Sequence, residues 1–231
     1  MLPSTRSEIV SLIEGWGGRY SSDLGIDLSE GRPEEIFKWF LASILFGARI
    51  NEKLAIKTYK KFAENDLLSP ESIVNAGWDR LVKILDSGGY TRYNFKTADK
   101  LLAVTQNLME RYNGDLNKLH KTAKDSADLE AKIMALGKGL GEVTVNIFLR
   151  ELREIWDKAD PLPQNLALEG AENLGFIDKG ESGKIALEKL ERIWRNNNIP
   201  EYRFADFEAA LVKLRKSIRK TAHNRRHVSV V

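Results

Sequence analysis

The sequence predicts an all-α protein of about ten helices joined by short connections. Apolar residues recur at i, i+3 and i+4 through most of the 231 residues, few stretches alternate as strands do, and helix-start signals punctuate the chain. No repeat of 20 to 50 residues is present, which argues against a solenoid. The length suits one large domain or two small lobes sharing a cleft.

Ile9, Val10, Leu12 and Ile13 define a first helix with Ser4 or Ser7 as N-cap, closed by Gly17 and Gly18. Residues 20–31 show no clear period and read as loop. Pro33 stands at a first helical position with Glu34 and Glu35 in the first turn, where carboxylates meet the positive end of the helix dipole. That helix continues through Ile36, Phe37, Trp39, Phe40, Leu41, Ile44, Leu45 and Phe46, apolar on nearly every side, and belongs at the centre of a core. Residues 47–51 interrupt it, and Leu54, Ile56, Tyr59 and Phe62 carry an amphipathic successor. Ser69, Pro70 and Glu71 start the next helix, which turns at residues 86–90. A long helix over 95–112 ends at Gly114 and Asp115. A polar loop near 121–126 precedes a helix over 127–136, and another runs over 143–156. Asp160 reads as an N-cap with Pro161 at the first helical position, opening a helix over 166–174. Helices over 185–196 and from 200–203 onward complete the chain.

Between the helices ending near Leu136 and opening near Glu142 lie Gly137, Lys138, Gly139, Leu140 and Gly141. Three glycines in five residues cannot be helix interior, where each costs up to about 1 kcal/mol relative to Ala. They form a tight turn. Glycine takes positive φ without a Cβ clash, and the unpaired N–H groups opening the next helix, aided by its dipole, suit an anionic phosphate.

Composition narrows the function classes. A net charge of +3 and a pI near 8.9 permit a nucleic-acid partner without demanding one. The absence of cysteine excludes disulfides, thiolate-bound zinc and an iron–sulfur cluster. His223 and His227 lie four apart with no third ligand nearby, so no metal and no cofactor are expected. No apolar run reaches the roughly 20 residues of a membrane span, and residues 1–6 lack the build of a signal peptide. A cytoplasmic monomer is expected.

The order of these motifs resembles the helix-hairpin-helix DNA glycosylases related to endonuclease III and 8-oxoguanine glycosylase. The resemblance covers roughly residues 33–176. Residues 40–45 followed by 52–57 resemble the family's central helix and its successor, and residues 81–90 followed by Lys96, Thr97 and Ala98 resemble its Gly-aromatic turn and Lys-Ala helix. Tyr112, Asn113, Gly114 and Asp115 resemble a Tyr-Gly-Gly stop. Residues 136–144 with Asp160 resemble the hairpin and the aspartate of the active site.

The resemblance implies two helical lobes around a cleft. Residues 1–32 would pack with 157–231 as one lobe, residues 33–156 would form the lobe carrying the hairpin, and 213–231 would be a basic tail. It implies double-stranded DNA as partner and a flipped base released by N-glycosidic hydrolysis, as in base excision repair. Gly137, Lys138, Gly139, Leu140, Gly141 and Thr144 would face phosphate, and Asp160 would assist hydrolysis. Relatives that also nick the strand carry a lysine just past the hairpin; Val143 stands at that position and cannot form a Schiff base. Pro161, Leu162 and Pro163 also depart from the family's usual continuation. A catalytically silent DNA-binding protein with the same fold is the alternative.

Arg49 and Ile50 stand where relatives carry a wedge that fills the gap left by a flipped base, although Arg49 also fits a solvated loop charge. Residues 213–226 hold seven Lys and Arg residues, among them Arg219 and Lys220, and no acidic residue. They suit either added phosphate contacts or a solvated, dipole-complementing helix end.

Overall fold

A computed structural model describes residues 5–48 and 50–228, with side chains as far as Thr221. The expected wedge residue Arg49 and the side chains of His223, His227, Arg225 and Arg226 lie outside the described residues. Every regular element described is helical. The chain divides into two compact units, residues 24–160 and residues 1–23 with 161–231.

The discontinuous unit begins with α1 (Arg6–Trp16) and a single helical turn, α2 (Tyr20–Asp23), within the stretch expected to be loop. Thr5, rather than Ser4 or Ser7, caps α1. Its side chain accepts from the Glu8 amide while the Glu8 side chain accepts from the Thr5 amide, so two otherwise unpaired donors are satisfied reciprocally. Gly17 closes the helix at φ 82°.

The continuous unit holds α3 (Pro33–Phe46), α4 (Glu52–Glu64), α5 (Pro70–Gly88), α6 (Asn94–Tyr112), α7 (Leu116–Thr122), α8 (Ser126–Met134) and α9 (Glu142–Arg150). As its all-round apolar pattern requires, α3 is the central helix, with ten of its fourteen residues buried. It packs on α9, where the Trp39 indole N–H donates to the Phe148 carbonyl at 3.0 Å and Phe40 meets the Phe148 ring edge-on. The Tyr90 hydroxyl donates to the Leu45 carbonyl at 3.3 Å, and burial pushes that phenol up to about 12. In α5, Gly77 breaks the helical path at φ 69°, ψ 173°, which sets Trp78 at the start of the second segment. The helix α7 follows a cap at Asp115, whose side chain accepts from the Asn117 amide, and runs to Thr122, into the stretch near 121–126 expected to be a polar loop.

Past Arg150 the chain tightens into turns instead of continuing to Trp156. Leu152 and Ile155 amides bond to carbonyls three residues back. The expected helix start at Asp160 is also corrected. Residues 160–164 form no helix, and α10 (Asn165–Asn173) is capped by Gln164, itself extended, without a side-chain bond. Pro163 explains it, because the residue before a proline is driven out of the helical region, and Leu162 therefore cannot follow Pro161 into a helix.

In the discontinuous unit, α10 is followed by α11 (Gly183–Asn197) and α12 (Phe204–Val228). Its core joins Ile9 and Ile13 of α1, Leu190 of α11 and Phe207, Leu211 and Leu214 of α12. Gly170 lets α10 cross α12 closely, since a Cβ there would stand 2.4 Å from the Leu211 carbonyl oxygen.

Candidate nucleic-acid interface

The turn of residues 135–141 joins α8 to α9, and α6 holds it from beneath. Val104, Asn107 and Arg111 recur on one face of α6 and meet the turn in sequence. Asn107 Nδ2 donates to the Leu136 carbonyl at 2.8 Å, and Arg111 reaches the Ala135 carbonyl at 3.4 Å. A Cβ on Gly137 would stand 2.6 Å from Val104 Cγ2, so only glycine allows this approach. Gly139 sits at φ 90°, a conformation that side chains with a Cβ rarely adopt. Gly141 is the N-cap of α9 at φ −104° with no side-chain cap.

The Ala135 and Leu136 carbonyls are thus anchored on α6, while several donors of the turn are left unbonded. The backbone N–H groups of Lys138, Gly139, Gly141 and Glu142 make no hydrogen bond among the described residues. Beside them opens a pocket of about 700 Å³ lined by Ala48, Tyr93, Lys96, Lys100, Lys138 and Gly139, among others. A Cβ on Gly139 would lie 3.0 Å from Lys100 Cε, so the Lys100 stem runs directly against the turn. Burial holds the Lys100 ammonium below its ordinary value of 10.5. Among the described residues, none of Lys96, Lys100 and Lys138 forms an ion pair. A partly desolvated cation without a counter-charge gains most from an anion.

The other expected contacts fall differently. Lys138 is exposed, but Leu140 is 5% exposed and fixes the turn to the core. Thr144 is 3% exposed and faces Gly47, where a Cβ would stand 2.0 Å from its Oγ1. Its hydroxyl therefore serves the packing of α9 on α3. Val143 is 58% exposed at the turn's far side. Ile50 is half-buried, two residues beyond Ala48 of the pocket wall.

Freed from the expected cap, the Asp160 side chain is 60% exposed and accepts from Arg153 Nη1 at 2.8 Å. Glu130 of α8 lies within electrostatic reach of it. Burial chiefly raises the Glu130 carboxyl, helped by Glu142 and Asp160 and opposed by Arg153. Glu130 thus feels two carboxylates, Glu142 and Asp160, and one guanidinium, Arg153.

In the discontinuous unit, Lys213, Arg215 and Arg219 of the basic run are matched by acids distant in sequence. Arg215 and Arg219 both bond to Glu169, holding its carboxyl below the ordinary 4.5. Lys213 bonds to Asp23 at 2.6 Å and to the Gly18 carbonyl at 2.7 Å. Lys220 is exposed.

Lys100 escaped the sequence reading as a site residue, although the four-residue spacing that puts it on one face of α6 with Lys96 is visible in the chain. Among the described residues no group of His, Asp or Glu could hold a metal ion, and no helix is long and apolar enough to cross a membrane. Compared with family models, curated proteins and solved structures, the chain matches none.

Proposed function

We propose that the chain is a helix-hairpin-helix DNA-binding protein that grips backbone phosphates with the 135–141 turn and hydrolyses the N-glycosidic bond of a flipped, damaged or mismatched base. One observation carries the reading: four N–H groups of a single turn make no hydrogen bond among the described residues, and Lys96, Lys100 and Lys138, none of them in an ion pair there, line the pocket beside it. Such a set satisfies the oxygens of a phosphodiester, and each lysine engaged releases condensed counterions from the duplex.

For the chemistry, Asp160 is the group of choice. Oriented by Arg153, its carboxylate would accept a proton from water as the water oxygen bonds to C1′ and the bond from C1′ to the base nitrogen breaks. Its charge would also steady the positive sugar in the transition state. Val143 offers no amine for covalent attack, so the strand stays intact.

A second reading, duplex binding without chemistry, is favoured by the same Arg153 bond, which already occupies Asp160 Oδ1. Incubation with oligonucleotides carrying a panel of lesions, followed by alkali, separates the two. Alkali-dependent nicking lost in Asp160→Asn supports excision. Salt-dependent duplex binding with no product from any lesion supports the silent binder, and absence of duplex binding sinks both.

A further inference from the structure

One exposed feature is not used by the duplex reading. Phe95 lies in the first turn of α6 and is 57% exposed, although a large aromatic ring gains by burial. It stacks on Trp78, itself 39% exposed, with ring centroids 5.4 Å apart and planes 23° from parallel. The pair is built rather than incidental. The break at Gly77 sets Trp78 at the head of the second segment of α5, and its indole N–H donates to Asp99 Oδ1 at 2.8 Å.

Asp99 stands four residues after Phe95 on the same face of α6 and also lines the pocket beside the turn. Lys96 and Lys100 occupy the next stripe of that helix. An aromatic plate and a lysine-lined pocket therefore adjoin along α6, sharing Asp99 as their border.

The geometry points to a site for an unpaired nucleotide of single-stranded DNA, its base stacked on the Phe95–Trp78 plate and its phosphate held in the pocket by Lys96 and Lys100. Bases of every kind present a π-face, so a plate of this type reads strandedness rather than sequence. A duplex buries those faces in its own stack and cannot use the plate. The Asp99 carboxylate, the one acid of the pocket wall among the described residues, is turned to the Trp78 indole and leaves the phosphate to the lysines. Lys96 and Lys100 serve both this site and the interface proposed for the duplex, so the inference deepens the DNA-binding reading, yet its test is independent of duplex.

The test is fluorescence anisotropy of the full chain with a non-self-pairing single-stranded oligodeoxynucleotide and with the corresponding blunt duplex. Phe95→Ala is expected to weaken single-strand binding by about 5- to 150-fold, the range that loss of a stacking aromatic gives. Duplex affinity should hold, and Phe95→Trp should restore single-strand binding. Wild-type chain that ignores the single strand overturns the inference, as does a Phe95→Ala variant that binds it as wild type does or loses both ligands equally. Single-strand binding sensitive to Phe95, with no duplex binding, would sustain the inference while removing the duplex reading. An oligoribonucleotide of the same sequence, if preferred over the DNA strand, would overturn the choice of DNA.

Discussion

Gly137→Ala should uncouple the turn from α6. The added Cβ would stand 2.6 Å from Val104 Cγ2 and 3.4 Å from the Val104 backbone. Carbon atoms settle at roughly 3.5–4.0 Å, so the turn must lift by about 1 Å. Val104 cannot give way, being β-branched and 1% exposed. Overpacking of this kind costs about 1–3 kcal/mol. Displacement of the Leu136 carbonyl also weakens the 2.8 Å bond from Asn107, a net loss of about 0.5–1.5 kcal/mol. The sum, about 1.5–4.5 kcal/mol, should lower the Tm by roughly 3–18 °C. Gly141→Ala is the control, since nothing lies within 4 Å of its Cβ and its φ of −104° suits any residue. It should cost less than about 1 kcal/mol. Thermal unfolding followed by circular dichroism reads both variants. A Gly137→Ala protein that melts with wild type, or a Gly141→Ala protein that melts as low as Gly137→Ala, would refute the proposed seating of the turn.

Other outcomes follow from the same structure. The Glu169 carboxyl is held low first by its hydrogen bond to Arg215 and then by Arg219, so its stabilising contribution is present above about 4.5 and disappears as pH falls through the lower folded value. Glu169→Gln should flatten that acid limb of the melting temperature against pH. His120 lies face to face with Trp156 at 4.7 Å and is held below its ordinary 6.5 chiefly by burial, with Lys158 adding to it. The unfolded chain therefore takes up the His120 proton first, and stability should drop as pH falls from 6.5 toward the folded value; His120→Gln should remove this step. Gly139→Ala must hold φ 90° with a Cβ at a cost of about 1–2 kcal/mol, and it pushes Lys100 aside. Its duplex affinity should fall while Gly141→Ala retains more.

Much of the helical framework was legible because its signals are local. Pro33 with Glu34 and Glu35, or Ser69 with Pro70, dictates a helix start whatever packs on it. The turn at 137–141 was legible for the same reason, since no helix interior tolerates three closely spaced glycines. Asp160 failed as an N-cap through a local rule outweighed by another: Pro161 suits a first turn, but Pro163 forbids Leu162 from sharing it. The end of α9 at Arg150 was not legible, because its apolar period runs on past the point where the backbone tightens. Tertiary partners were hidden altogether. Nothing near Arg219 in the chain announces Glu169, fifty residues earlier. Likewise Lys100 reads as an ordinary helix cation until α6 is seen beneath the turn.

Binding of an undamaged duplex as a function of salt, for wild type and for Lys96→Ala/Lys100→Ala/Lys138→Ala, tests the proposed interface most directly. Each phosphate contact contributes about 0.9 to the slope of log affinity against log salt. The triple variant should bind more weakly at low salt and lose roughly 2–3 from that slope. An unchanged slope, or no measurable binding by the wild-type chain at low salt, would contradict the assignment of the turn and its lysines to the DNA backbone.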